Sequence, residues 1–201
     1  MRLRQPTLLT AYVAAFAFFI FSVSHAAAAD EPISKYVRST GADTVIVFVH
    51  GFMGDGVSTW TNDDTNAYWP AMLTHDPTFN GVDIFVYSYD TGFSSPLSID
   101  ELADSMRSVL VAEGVSSYQK IVFLSYSMGG LVTRAYLLKN QAVAAHTLFA
   151  YFFSTPTMGS QIASISSVLV NSPQISELKT LADDAYLANL LRQWLAAPKA
   201  E

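Results

Sequence analysis

The chain has 201 residues, 51% of them hydrophobic and 14% charged, a balance too apolar for disorder and one that requires a buried core. Eleven Lys and Arg against 17 Asp and Glu give a formal net charge of -6, which provides no basic stripe for neutralising phosphates and argues against nucleic-acid binding. The absence of cysteine excludes disulfides, thiolate metal sites and a catalytic thiol.

Arg2 and Arg4 precede an apolar run from Leu8 to Val23, which leads into the small residues Ala26 to Ala29. A charged start, an apolar middle and a small-x-small end predict a secretory signal peptide over 1–29, cleaved before Asp30. The competing reading is an uncleaved anchor, although the run is slightly shorter than the roughly 20 apolar residues of a spanning helix. In either case the remainder is expected to be exported to the periplasm or medium, and a retained leader would hold it near a membrane. Residues 30–201 are of a length for one domain.

Thr44 to Val49 is a continuous β-branched and aromatic run, the pattern of a strand covered on both faces. Val82 to Tyr87, Ile121 to Leu124 and Thr147 to Phe153 repeat it. A short helix is expected over Tyr68 to His75. A longer one starts at Ser98, which forms a Ser-x-x-Glu capping box with Glu101, carries Leu102, Met106, Val109 and Leu110 at helical spacing, and stops at Gly114. Another follows Ser127 and ends near Asn140. Alternating apolar strands and helices predict an α/β fold, a doubly wound, mainly parallel sheet with helices on both faces. After Gln161 the pattern is helical, as in Leu187, Leu190, Leu191 and Trp194, with no further strand-like run.

Two segments can carry chemistry. Ser125-Tyr126-Ser127-Met128-Gly129-Gly130 joins a strand to a helix by a sharp turn. A nucleophile elbow needs small residues two before and two after its serine, so that strand and helix can pack closely. Ser125 and Gly129 fit, although serine in place of the usual glycine adds bulk at the first position. The alternative is a serine-rich helix cap with packing glycines. His50-Gly51-Phe52-Met53-Gly54-Asp55-Gly56 follows the first strong strand, and its glycines let the backbone cross the sheet edge. Alone, it also reads as an ordinary glycine-rich turn.

Together, Val45 to Phe52, Ser125 to Leu131 and Phe153-Ser154-Thr155-Pro156 with Gly159-Ser160 resemble the lipase-like serine esterases of the α/β-hydrolase superfamily, over about Asp43 to Trp194. Trp60 and Trp69-Pro70 fall where that group often carries similar residues. The resemblance implies hydrolysis of a small-molecule or lipid ester through an acyl-serine. It makes Ser127 the nucleophile, Phe52 and Met128 the oxyanion-hole N–H donors, and His50, Gly51 and Gly129 the supporting residues.

A serine hydroxyl needs a base, normally a histidine oriented by a carboxylate. The chain has four histidines. His25 lies in the leader, His50 belongs to the glycine loop, and His75 and His146 precede strands, at the sheet edge opposite the elbow. Glu177, Asp183, Asp184 and Glu201 follow Ser127 but read as solvated helix faces. In the α/β-hydrolase order the acid and histidine lie on later strands, so the domain is expected to be C-terminally incomplete, or else a non-catalytic module that binds an apolar ligand or a protein. Phe52, Met53, Phe93 and Met158 are candidates for an apolar site lining, against ordinary packing. No zinc spacing, phosphate loop or dinucleotide fingerprint occurs, so no metal or cofactor is expected.

Overall fold

The computed structural model describes residues 33–91, 97–156 and 186–197. The leader expected over 1–29, Phe93, Met158, Glu177, Asp183, Asp184 and Glu201 lie outside them. Among the described residues no helix is long and apolar enough to cross a membrane.

The β-branched runs form strands because their side chains bury on both sides of a pleated sheet. β1 spans Lys35–Arg38, β2 Thr44–Val49, β3 Val82–Tyr87, β4 Lys120–Tyr126 and β5 Thr147–Phe153. Their order in the sheet is β1-β3-β2-β4-β5. β2 pairs in parallel with β3 and β4, and β4 with β5. β1 runs antiparallel to β3 along the edge, which makes the sheet mixed.

The helices are α1 (Trp69–His75), α2 (Ile99–Ala112), α3 (Gly129–Lys139), α4 (Gln141–His146) and α5 (Tyr186–Ala196). α2 carries the expected box: the Ser98 hydroxyl accepts the Glu101 N–H, and the Glu101 carboxylate accepts the Ser98 N–H at 2.8 Å. Gly114, at φ +74°, lets the chain leave that helix in a left-handed turn. α3 is buried from Gly129 to Leu137, as befits a helix wedged between sheet and neighbouring helices.

Two cores follow from the strand alternation. Val45, Val47, Val49, Phe85, Ile121 and Phe123 face Leu102, Met106 and Leu110 of α2, Leu131 and Ala135 of α3, and Leu187 and Leu190 of α5. On the other face Ile46, Phe48, Ile84, Val86 and Val122 pack with Trp60 and Leu73, and with the rim residues Trp69 and Phe79. Helices therefore cover both faces, as expected of a doubly wound sheet.

The register positions the site. Val49 lies opposite Tyr87 on β3 and Ser125 on β4, so β2, β3 and β4 end in nearly one row. The chain goes from β2 to β3 on one side and then crosses to β4 on the other, so the switch point lies between β2 and β4. Ligand crevices of open α/β sheets form there, at the carboxyl ends of the strands. The His50 loop leaves β2 on one side of that point and Ser127 leaves β4 on the other.

Candidate active site

Ser127 has a φ of +51°, in the left-handed region that residues with a Cβ rarely occupy. Its N–H donates to the Phe153 carbonyl on β5 at 2.8 Å, and its own carbonyl accepts from Gly130 N–H at 3.1 Å. The turn is thus held from the neighbouring strand and from the first turn of α3. The amides of a helix's first turn lack acceptors within the helix, and Met128 stands at that end of α3.

The sequence left open how a serine fits two residues before the elbow. Ser125 is fully buried, and its hydroxyl shares a hydrogen bond of 2.9 Å with that of Thr133, which is also buried. The extra polar group is satisfied inside α3, one turn and a half beyond the elbow. Thr133 reads as a helix residue in sequence and gives no local sign of this role.

The glycines work by close approach. A Cβ at Gly51 would lie 2.8 Å from the Ser127 Cβ and 3.0 Å from the Tyr126 carbonyl oxygen. A Cβ at Gly129 would overlap the His50 carbonyl oxygen and stand 2.8 Å from that of Val49. The loop after β2 and the elbow after β4 are therefore in backbone contact. Gly51, and with it the adjoining Phe52, stands beside Ser127.

His50 is fully buried and both ring nitrogens are engaged. Nδ1–H donates to the Gly51 carbonyl at 2.9 Å, and Nε2 accepts the Tyr89 N–H at 3.1 Å. The ring stacks on Tyr89 with centroids 4.4 Å apart, and the Tyr89 hydroxyl donates to the His50 carbonyl at 2.8 Å. Burial holds the imidazole below its usual pKa, against the opposing pull of its hydrogen bonds, so it stays neutral. His50 is a brace for the loop. Thr91 adds to it, its hydroxyl donating to the Gly51 carbonyl at 3.3 Å.

The other described histidines lie at the far edge. His75 is the last residue of α1 and leads towards the amino end of β3. His146 directly precedes β5, and its Nδ1–H donates to the Tyr118 carbonyl at 3.1 Å. β4 has seven residues, so at a rise of about 3.3 Å each the two edges are roughly 20 Å apart. Neither residue reaches Ser127. Among the described residues no group of three or more His, Asp or Glu could hold a metal ion.

Comparison with known proteins adds to this geometry. The family described as Putative serine esterase (DUF676) matches residues 39–190. The chain belongs to that family. The chain is 28% identical to mouse (Mus musculus) Protein SERAC1 over 69% of its length and 27% of that protein's. It is also 28% identical to the human (Homo sapiens) form over 75% of this chain and 29% of that one. It spans less than a third of these curated relatives. Among solved structures, the mature lipase BlEst2 of Bacillus licheniformis superposes with a TM-score of 0.55 at 19% identity, covering 84% of this chain and 68% of that one. Phospholipase PlaB from Legionella pneumophila, in complex with thio-NAD, gives 0.57 at 18% identity, over 77% of this chain and 34% of that one. At such identities the likeness is one of fold, an α/β sheet shared with lipases.

Proposed function

We propose that this member of the serine esterase family hydrolyses carboxylic esters through an acyl-serine formed on Ser127. The reading rests chiefly on the left-handed backbone of that residue at the carboxyl end of β4. A strained turn of this kind lifts the hydroxyl away from strand and helix, towards the crevice. Attack on an ester carbonyl would place negative charge on its oxygen. The N–H groups of Phe52 and Met128, beside the Gly51–Ser127 contact, are assigned to stabilise it. His50, Gly51 and Gly129 hold those donors in place. The proton of Ser127 must pass to a base, and among the described residues His50 is committed to the loop while His75 and His146 are on the opposite edge.

That last observation favours a second reading, a hydrolase-like module that binds an apolar ligand without turnover. A fluorophosphonate probe separates the two, because it phosphonylates only a serine activated in an oxyanion site. The expected result is labelling of the full chain that Ser127→Ala abolishes. A Ser127→Ala protein that labels as strongly as wild type overturns the ester reading, and a folded wild-type sample that does not label points to the binding module or to an incomplete site.

A further inference from the structure

Beside the elbow lies a cleft of about 640 Å³ that the sequence did not single out. Tyr126, which precedes Ser127, and Ser154, which follows the Phe153 carbonyl that holds the Ser127 N–H, both line it. The cleft therefore adjoins the elbow through the residue that precedes Ser127. Its floor is aromatic: the rings of Trp60, Trp69 and Phe153 lie with centroids 5.8 Å, 6.5 Å and 5.6 Å apart, packed edge-on or tilted. Phe48 supports the two tryptophans from the core, at 5.0 Å and 5.3 Å. Met72 of α1 is 54% exposed along its wall. Among the described residues the rest of the lining is uncharged, from Thr59, Thr61, Asn62, Thr65 and Ala67.

Rings locked in place by the core keep an apolar surface open beside a hydroxyl, which in isolation is unfavourable in water. A chain of methylene groups would remove that surface from solvent, whereas a charged moiety would find no counter-ion. We infer that this cleft binds the uncharged, unbranched apolar chain of the ester, with Trp60, Trp69, Phe153 and Met72 setting its selectivity; the inference rests on Ser127 being the reacting group. The same chain chemistry is available from the acyl or from the alcohol side of an ester, and the test has an arm for each.

Met72→Asp puts a carboxylate into the wall at an exposed position that should tolerate it, and Ala67→Phe fills the cleft from the other side. In the full chain, kcat/KM is measured for 4-nitrophenyl esters from acetate to decanoate, and for acetates of alcohols from methyl to decyl. The expected result is a preference for longer chains in one series, with the ratio of the eight-carbon to the shortest ester falling at least tenfold in both variants. Binding is read separately in Ser127→Ala by quenching of tryptophan fluorescence with 11-bromoundecanol. Saturable quenching is expected, weakened at least tenfold by Met72→Asp and by Ala67→Phe. The inference is overturned if wild-type turnover shows no chain preference in either series, or if neither variant alters bromoundecanol affinity. If fluorophosphonate labelling fails while quenching remains sensitive to both variants, Ser127 is not activated in this chain and the cleft stands as an apolar binding site.

Discussion

Ser127 holds a backbone conformation that costs a residue with a Cβ roughly 1–2 kcal/mol. Replacement by glycine removes that penalty and gives back part of it, about 0.5–1 kcal/mol, through the greater freedom of glycine in the unfolded chain. Ser127→Gly should therefore unfold at higher urea concentration than Ser127→Ala, by about 0.5–1 kcal/mol, while neither variant reacts with fluorophosphonate. A Ser127→Gly protein less stable than Ser127→Ala by about 0.5–1 kcal/mol would show that the turn stores no strain. The residues of the elbow were legible because their chemistry is local: a hydroxyl between small neighbours, at a strand–helix junction. The Thr133 hydroxyl beneath Ser125 and the Tyr89 clamp on His50 were not legible. Each pairs residues on different elements, and nothing in spacing marks such a pair before the fold brings it together. The aromatic cleft was missed for the same reason, since Trp60, Trp69 and Phe153 come from three separate segments.

Among the elements, β2, β3 and β5 begin and end where their β-branched and aromatic runs do, even with Asp83 inside β3, because those side chains favour the pleated sheet. β4 extends beyond its apolar run to Lys120 at one end and Ser125-Tyr126 at the other, where hydrogen bonding to β2 and β5 overrides side-chain polarity. β1 reads as Lys-Tyr-Val-Arg and escaped notice, since four residues with charged ends carry too little periodicity. What ties β1 and the following loop down is Asp83, buried near the start of β3. Its carboxylate accepts the Thr40 N–H at 2.6 Å, the Gly41 and Ala42 N–H groups at 3.1 Å each, and the Thr40 and Tyr118 hydroxyls at 2.8 Å and 2.7 Å. Burial alone would raise its pKa, but these bonds outweigh burial and hold it below the ordinary carboxylate value.

The folded state therefore releases the Asp83 proton more readily than the unfolded chain does. Stability from this group is complete above the unfolded carboxylate pKa of about 3.9 and is lost as pH falls below it. His50, also depressed, acts with the same sign in a higher window. Its contribution is complete above about 6.5 and declines as the unfolded chain takes up a proton that the buried imidazole refuses. Urea stability should accordingly fall in two stages on acidification. Asp83→Asn is expected to cost about 2–3 kcal/mol at pH 7 and to flatten the stage below pH 4 while leaving that near pH 6. An unchanged acid limb in this variant would show that the carboxylate is not the anchor of the β1–β2 loop.

At the scale of the whole molecule the sheet is finished unevenly. Its β1 edge carries the exposed Lys35, a charge that discourages pairing with another chain, while Arg38 turns its guanidinium inward to the Val82 and Thr74 carbonyls. Its β5 edge, Thr147–Phe153, has no charge, proline or glycine, and exposes Leu148, Phe149 and Tyr151 by 55%, 54% and 55%. The register shifts at Leu148, which lines the α3 side, while Tyr151 packs with Phe153 on the Trp69 side, so both flanks of the edge are apolar. On the Leu148 side a cavity of about 320 Å³ opens towards Leu138 of α3 and Trp194 of α5. Among the described residues no strand pairs with the outer side of β5, and an open strand edge bordered by large apolar side chains templates the addition of a further strand. The isolated chain should consequently self-associate as its concentration rises, seen as growth in light scattering at neutral pH. Leu148→Lys and Tyr151→Lys place a charge on either flank while removing exposed side chains only, so each should suppress that growth and leave unfolding stability within about 0.5 kcal/mol of wild type. A wild-type sample that stays monodisperse at high concentration, or lysine variants that scatter as strongly, would show that this edge is already protected.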